Sequence, residues 1–267
     1  MITVNTNMVS SWAAYNLNST NTNLQRSLAR LSSGSRINSS YDDAGGLAVS
    51  MKLSAAIRRT EASQSNINNT IAMLQTQDGA LKSAEKVLTR MSELIQLSGD
   101  VTKSTNDRAL YQTEYESLQG QMVDLVDEQF NGVNMFTNGG WNAVIDNTST
   151  SGNTLTVVLS QDGGQTTSIT QSDLGSVAFY VGTASAGLAG STALSTNNVF
   201  QNITTAAAAI TTVNQAIQNL ASLRATNGSE QVRLTFAADM LSINKTNLES
   251  ANSRISDVDI AVESAIL

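Results

Sequence analysis

The chain of 267 residues carries a formal charge of −7 and contains no Cys, His or Pro. Without Cys and His there is no disulfide framework, no thiolate metal site and no histidine base, so most enzyme and metal-binding classes are disfavoured. The acidic balance argues against nucleic acid as a partner, because phosphates attract Lys and Arg, and no stretch approaches the roughly 18 apolar residues of a membrane-inserted helix.

The first predicted element is an amphipathic helix within residues 1–35. Leu17, Leu24, Leu28 and Leu31 are spaced so that they share one face of a helix. One stripe cannot bury itself, and an isolated helix of this length is marginal in water. We therefore expect another helix to cover this face.

A second, much longer helix is predicted after the Ser-, Gly- and Asn-rich segment 32–43. Asp42 and Asp43, preceded by two serines, indicate its start. An apolar residue then recurs at every seventh position, namely Ile67, Leu74, Leu81, Leu88 and Ile95. Such a repeat favours a coiled-coil seam, and an unbroken helix over 44–97 would be about 80 Å long at 1.5 Å per residue.

A third helix is predicted over residues 106–129. Gly99 is expected to end the preceding helix, and the side chains of Thr105 to Asp107 are expected to cap the new one. A matching seam alternates by four and three residues along Tyr111, Tyr115, Leu118, Met122 and Leu125. The helix is predicted to stop before Asn131-Gly132, a pair that favours a tight turn.

Residues 137–198 differ in kind, since they are rich in Gly, Ser, Thr and Asn. Two β-type runs, Thr154–Leu159 and Val177–Val181, are separated by turn formers at Asp162-Gly-Gly164. We therefore expect a small β-hairpin insert.

The last long helix has the longest seam. Its seven-residue track consists of Ala206, Val213, Leu220, Asn227, Leu234, Leu241, Leu248 and Ile255. Asn227 interrupts this track beside Gly228. It is either a polar seam residue that fixes the register or the site of a local kink, and the sequence leaves both open. The predicted fold class is thus mainly α: a long antiparallel helical coiled-coil or bundle rod with a small β-hairpin insert and terminal helical arms.

Two segments resemble a known family. They are Arg30-Leu-Ser-Ser-Gly-Ser-Arg-Ile-Asn-Ser-Ser-Tyr-Asp-Asp-Ala-Gly-Gly-Leu-Ala-Val49 and Asn247-Leu-Glu-Ser-Ala-Asn-Ser-Arg-Ile-Ser-Asp-Val-Asp-Ile-Ala261. Together they resemble the terminal regions of bacterial flagellins, and the resemblance covers roughly residues 1–140 and 200–267. It implies a structural subunit that polymerises into the flagellar filament for motility, with no catalytic residue, cofactor or metal, and with terminal helices that fold on assembly.

The resemblance also implies partners and a location. The first partner is a second copy of the chain, followed by the flagellar export apparatus, an export chaperone, and the cap and junction proteins. Residues 1–8 lack the basic and apolar regions of a secretory signal, which by itself would predict a cytoplasmic protein. The resemblance instead implies export through a dedicated channel, without a cleavable signal peptide, to the extracellular flagellum.

The expected domain division follows the same resemblance. Residues 1–43 form the N-terminal arm and linker of the inner filament core, 44–136 and 199–256 form the two halves of the rod, 137–198 form the insert, and 257–267 begin the C-terminal arm. Flagellins continue past the position of Leu267 with a Gln- and Leu-rich helix that pairs with the N-terminal arm. We therefore expect this chain alone to elongate filaments poorly.

Eleven residues are assigned to assembly and intersubunit contact: Leu17, Leu24, Leu28, Leu31, Arg30, Arg36, Asp42, Asp43, Arg254, Asp257 and Asp259. Arg30 and Arg36 are either solvated surface or paired with Asp257, Asp259 or the carboxylates of another subunit. Asp42 and Asp43 are adjacent, so their side chains point in different directions. A role at a helix N-terminus, which favours negative charge, is therefore expected rather than acid–base chemistry.

Arg90, Leu94 and Glu114 match positions at which the flagellin-sensing Toll-like receptor grips the family, and this implies a possible innate-receptor contact. The alternative is a core position for Leu94 and a surface ion pair between Arg90 and Glu114.

Two other functions are alternatives to a filament subunit. The hook–filament junction protein has similar termini, whereas a secreted carboxylate-dependent hydrolase would need two acidic side chains that converge in a pocket.

Overall fold

A computed structural model describes residues 8–136, 154–170, 172, 174 and 203–266. In chain order the elements are α1 (Met8–Ser33), α2 (Ala44–Ser98), α3 (Thr105–Val126), β1 (Gln129–Phe130), β2 (Val133–Asn134), β3 (Thr154–Val158), β4 (Thr166–Thr170), α4 (Ile203–Ser256) and α5 (Ile260–Ile266). The predicted mainly α class with a small hairpin is confirmed. None of the described helices has the length and apolar character that a membrane crossing requires.

The chain divides into two compact units. The central unit comprises residues 63–239, and the terminal unit comprises the residues up to 62 and from 240 onwards. The long helices α2 and α4 each contribute to both. This division separates two kinds of packing.

The heptad seams form the core of the central unit. On α2 the seam residues Ile67, Leu74, Leu81, Leu88 and Ile95 are all at most 2% exposed. On α4 the seam is buried from Val213 to Leu241 and half-buried at Leu248 and Ile255, while the side chain of Ala206 lies outside the described residues. The predicted seams are therefore confirmed over these spans.

Helix α3 closes this core. Its cap is Ser104 rather than Thr105: the Ser104 hydroxyl accepts a hydrogen bond from the Asp107 backbone N–H, and the Asp107 carboxylate accepts one from the Ser104 N–H. This reciprocal pair is a capping box. The N-cap therefore lies one residue before the predicted Thr105, and Asp107 contributes its side chain to the cap as predicted. Tyr115 and Met122 are buried, and the other three predicted seam residues pack against the cluster.

Asn131 and Gly132 form the predicted tight turn. Both have positive φ angles, 51° and 79°, as the two-residue turn between β1 and β2 requires. The strand pair directs Met135 and Phe136 into the core, where both are fully buried. The Gln77 side chain donates to the Met135 carbonyl oxygen over 3.1 Å, which joins this turn to α2.

The second hairpin contains one predicted strand, β3, and one strand that was not predicted, β4. Strand β3 pairs antiparallel with β4, from Thr154 opposite Thr170 to Val158 opposite Thr166. The turn lies at Asp162 to Gly164, as predicted, but Val177–Val181 lies outside the described residues. β4 was missed because Thr-Thr-Ser-Ile-Thr has only one strongly apolar residue, Ile169, which is fully buried.

Polar contacts attach this hairpin to α4. The Glu230 carboxylate accepts a hydrogen bond from the Thr170 N–H at 2.8 Å, and Arg233 donates to the Ser168 carbonyl oxygen at 2.6 Å. Burial raises the pKa of Glu230, although the bond from Thr170 lowers it in part. The hairpin is thus held by α4 along its second strand.

Asn227 is a buried polar seam residue, and α4 continues through it as one helix of 54 residues. It is 1% exposed, and its side-chain amide donates to the Leu74 carbonyl oxygen at 3.2 Å and to Gln77 Oε1 at 2.7 Å. Its own oxygen accepts from Gln231. These bonds fix one register between α2 and α4.

Replacing Asn227 with Ala should lower the free energy of unfolding by about 1–3 kcal/mol, because Gln77 and the Leu74 carbonyl lose a buried donor. The matched control is Asn214→Ala, an exposed asparagine on the same helix, for which a change within about 0.5 kcal/mol is expected. Urea unfolding of both variants measures the difference, and equal stabilities would contradict the register role.

Candidate assembly surface

Helix α1 exposes most of its apolar side chains. Trp12 is 70% exposed, Tyr15 73% and Leu17 67%, and the only buried residue of the helix is Ser27. Of the other predicted stripe residues, Leu24 and Leu28 are exposed and Leu31 is half-buried. A helix with so much apolar surface in water is a candidate interface, since large exposed apolar patches mark sites of association.

The C-terminal end of α1 packs against the short helix α5. Ser27 of α1 and Glu263 of α5 are both 7% exposed. Arg30 Nη1 lies 3.8 Å from Glu263 Oε2, so Arg30 has an acidic neighbour within its own chain. Sequence reasoning missed Glu263, because the carboxylates that it weighed were Asp257 and Asp259.

A backbone bridge joins the two terminal segments. Gly34, with a φ of 71°, ends α1 and donates to the Arg30 carbonyl oxygen. Ser35 then pairs with Asp257 as an antiparallel bridge, in which the Arg36 N–H donates to the Ser256 carbonyl oxygen at 2.6 Å. The sequences on either side of this bridge are those that carry the family resemblance.

The Arg36 guanidinium strengthens the bridge. Its Nε and Nη2 donate to the Ile255 carbonyl oxygen at 3.2 and 2.8 Å, at the C-terminal end of α4. A cation near unpaired helix carbonyls is favourable, because the helix dipole is negative there. Within the described residues Arg36 therefore binds a carbonyl rather than Asp257 or Asp259. Pairing with another subunit stays a prediction.

Asp42 and Asp43 organise the start of α2, as predicted. Asp43 Oδ1 accepts a hydrogen bond from the Gly46 N–H at 2.8 Å, which caps the helix. Asp42 Oδ2 accepts from the Asn38 and Ser39 N–H groups. Partial desolvation raises the pKa of Asp42, but these bonds outweigh it and hold that pKa below its usual value.

The three assembly residues predicted near the C-terminus, Arg254, Asp257 and Asp259, make different local contacts. Asp259 Oδ1 accepts from the Ala261 and Val262 N–H groups and so caps α5. The Asp257 carboxylate accepts from the Ser253 hydroxyl at 2.6 Å. Arg254 is exposed in the last turn of α4. The structure thus brings Arg36 and Asp257 to one bridge, whereas Arg254 and Asp259 lie beside it.

Of the three predicted receptor residues, Leu94 is buried, whereas Arg90 and Glu114 are exposed. Leu94 is fully buried in the core of the central unit, so it is not accessible to a receptor in this fold; its core role, the alternative, is the one observed. Arg90 Nε donates to Glu114 Oε1 at 2.8 Å and Nη1 to Glu93 Oε2 at 3.1 Å. Hydrogen bonds to Glu114 and then Glu93 raise the pKa of Arg90, and the trio is exposed.

The long helices bury their seams in the central unit and expose apolar side chains in the terminal unit, an arrangement that fits an α-helical structural subunit. The family model of the bacterial flagellin N-terminal helical region matches residues 4–140, and the family model of the C-terminal helical region matches residues 210–267. The chain belongs to the bacterial flagellin family.

Curated relatives extend over nearly the whole chain. The flagellar filament 33 kDa core protein of Treponema phagedenis is 32% identical and covers 97% of this chain and 88% of its own length. The flagellin of Bacillus subtilis is 32% identical, with coverages of 92% and 84%. Both are named as flagellin or filament core protein, so neither the junction protein nor the hydrolase is favoured.

A solved structure has a similar fold. It is that of a Vibrio parahaemolyticus protein assigned as flagellar hook-associated, with a TM-score of 0.64, and it covers 81% of this chain and all of that one. Its identity is 16%, so this likeness concerns the fold alone.

Gly46→Ala should destabilise the start of α2 by about 1–2 kcal/mol, the typical cost of a lost helix cap. A Cβ at Gly46 would meet the Asp43 carboxylate and lie 2.8 Å from Ile37 Cδ1, so the capping side chain must leave. The neighbouring Gly45→Ala is the control, because its Cβ would make only an ordinary 3.6 Å contact with Asp43. Thermal unfolding and amide exchange at Leu47 compare the two, and equal loss in both would refute the capping argument.

Proposed function

We propose that this flagellin is a filament subunit in which folding of the terminal unit is coupled to polymerisation. The observation that carries the proposal is the exposure of Trp12, Tyr15 and Leu17 on α1. A partner that binds the folded form alone stabilises it by mass action. A second copy that covers these side chains would therefore stabilise α1 as it adds to the filament.

The geometry of growth follows from the same surface. Contacts between different patches of identical subunits propagate into a helix when the rotation between subunits does not close. The assembly residues proposed are the α1 stripe together with Arg30, Arg36 and Arg254, which supply positive charge. Residues 1–43 and 257–267 would then form the inner part of the filament.

The subunit would be exported by the flagellar apparatus to the extracellular flagellum, with an export chaperone before assembly and the cap and junction proteins as neighbours. Its role is structural and not enzymatic. Receptor recognition would use the exposed pair Arg90 and Glu114 and exclude Leu94, which is buried.

Leu17→Ser should raise the concentration of free subunit at the end of assembly by about tenfold or more. Burial of a Leu contributes about 1.5–3 kcal/mol, and about 1.4 kcal/mol corresponds to tenfold in an equilibrium constant. The control is Asn18→Ser, which changes the adjacent exposed polar residue. Sedimentation after assembly measures both; identical free concentrations would sink the proposal for this face.

Coupled folding predicts a difference in amide exchange. In dilute subunit, α1 should exchange faster than the buried segment of α2 around Leu81 and Leu88, because α1 has almost no buried side chain. Assembly should slow exchange in α1 and leave the α2 segment nearly unchanged. Full protection of α1 before assembly would contradict the coupling.

A further inference from the structure

The methionines of this chain are divided by exposure in a way that follows the two units. Met8, Met51 and Met240 are 74%, 65% and 62% exposed, and all three belong to the terminal unit. The other four described methionines all belong to the central unit and are at most 6% exposed; they are Met73, Met91, Met122 and Met135. The three methionines of the terminal unit are therefore accessible to solvent, whereas the four of the central unit are buried.

Two of the exposed methionines lie beside other exposed apolar side chains. Met8 is four residues from Trp12 on α1, and Met240 is three residues from Ile243 on α4, spacings that make them neighbours on one helix face. Trp12 is 70% exposed and Ile243 63%. Methionine is flexible and polarisable and suits a surface that packs against a partner.

We propose that Met8, Met51 and Met240 are the oxidation-sensitive methionines among the described residues, and that oxidation of Met8, on the α1 surface through which copies of this chain would associate, weakens assembly. The inference rests on the proposed function for its effect on assembly, but the selectivity of oxidation does not. The modifying agent is hydrogen peroxide or another donor of a single oxygen atom. It acts on the free subunit, in which these side chains are exposed.

The chemistry is a two-electron oxygen transfer. A lone pair of the thioether sulfur attacks one peroxide oxygen, the S–O bond forms and the O–O bond breaks. The sulfur is oxidised to the sulfoxide, and the departing hydroxide takes up the remaining proton to leave as water, so the peroxide is reduced. The product is a polar, chiral side chain, and sulfoxide reductases can reverse the change.

Exposure decides which residues react. Susceptibility of methionine follows solvent access, so the central unit should keep its four thioethers and its seam packing while the terminal unit is modified. A polar sulfoxide at Met8 interrupts the apolar face of α1 that association would bury. Oxidation would thus weaken assembly without unfolding the subunit.

The experiment treats dilute subunit with hydrogen peroxide, maps sulfoxides by peptide mass spectrometry, and then measures free subunit after assembly by sedimentation. Met8, Met51 and Met240 should be converted well before the four buried methionines, with the helical circular dichroism unchanged. Free subunit should then rise about tenfold, a change equivalent to about 1.4 kcal/mol in association.

The matched variant carries Met8→Leu, Met51→Leu and Met240→Leu, which keep volume and apolar character but cannot form a sulfoxide. It should assemble as the parent does and resist peroxide. Equal oxidation rates at exposed and buried methionines would overturn the inference, as would unchanged assembly of the triply oxidised parent or an equal loss in the Leu variant. Because this chain alone is expected to elongate poorly, assembly is measured at raised protein concentration. Failure of the untreated parent to assemble there would count against the proposed function instead, and the oxidation map would still decide the site.

Discussion

Packing of apolar side chains that recur every seven residues on α2 and α4 is the interaction on which the central unit depends. Leu81, Leu88 and Val213 are fully buried in one cluster, and α3 adds Tyr115 to it. Each fully buried Leu contributes about 1.5–3 kcal/mol, and the heptad repeat places such a side chain on the same face of the helix about every two turns.

The terminal unit is held differently. Its contacts are largely polar or made by backbone: the Ser35–Asp257 bridge, the bonds from Arg36 to the Ile255 carbonyl, and the ion pair of Lys245 with Glu61 at 2.8 Å. Such contacts fix positions precisely but contribute little net stability where they are exposed. The unit therefore leaves many of its large apolar side chains exposed, and under the proposed coupling a second copy would bury them.

Periodicity predicted the helices and seams well, because the residues that carry the signal are neighbours on one helix. It could not decide the role of Asn227, since the answer depends on Leu74 and Gln77, about 150 residues away in sequence. The second strand of the β3–β4 hairpin was missed for a related reason. The short Thr-rich run becomes a strand by pairing with β3, and Glu230 accepts the backbone donor of its last residue, Thr170.

The candidate site was predictable in part. The caps at Asp43 and Asp259 follow from local side-chain chemistry, which sequence displays directly. The partners of Arg30 and Arg36 do not, because a long flexible cation can reach several acceptors and the fold selects among them. Leu94 shows the converse case: a resemblance assigned it to a contact surface, whereas its position on the buried face of α2 makes it part of the core.

The exposed faces must coexist with solubility before assembly. A net charge of −7 makes copies repel, and this repulsion acts over a screening length of about 8 Å at physiological ionic strength. Apolar burial acts only at contact and grows with the area covered, at about 25 cal/mol per Å². Repulsion therefore opposes nonspecific approach in solution, whereas a neighbour that covers the whole α1 stripe gains enough burial to offset it.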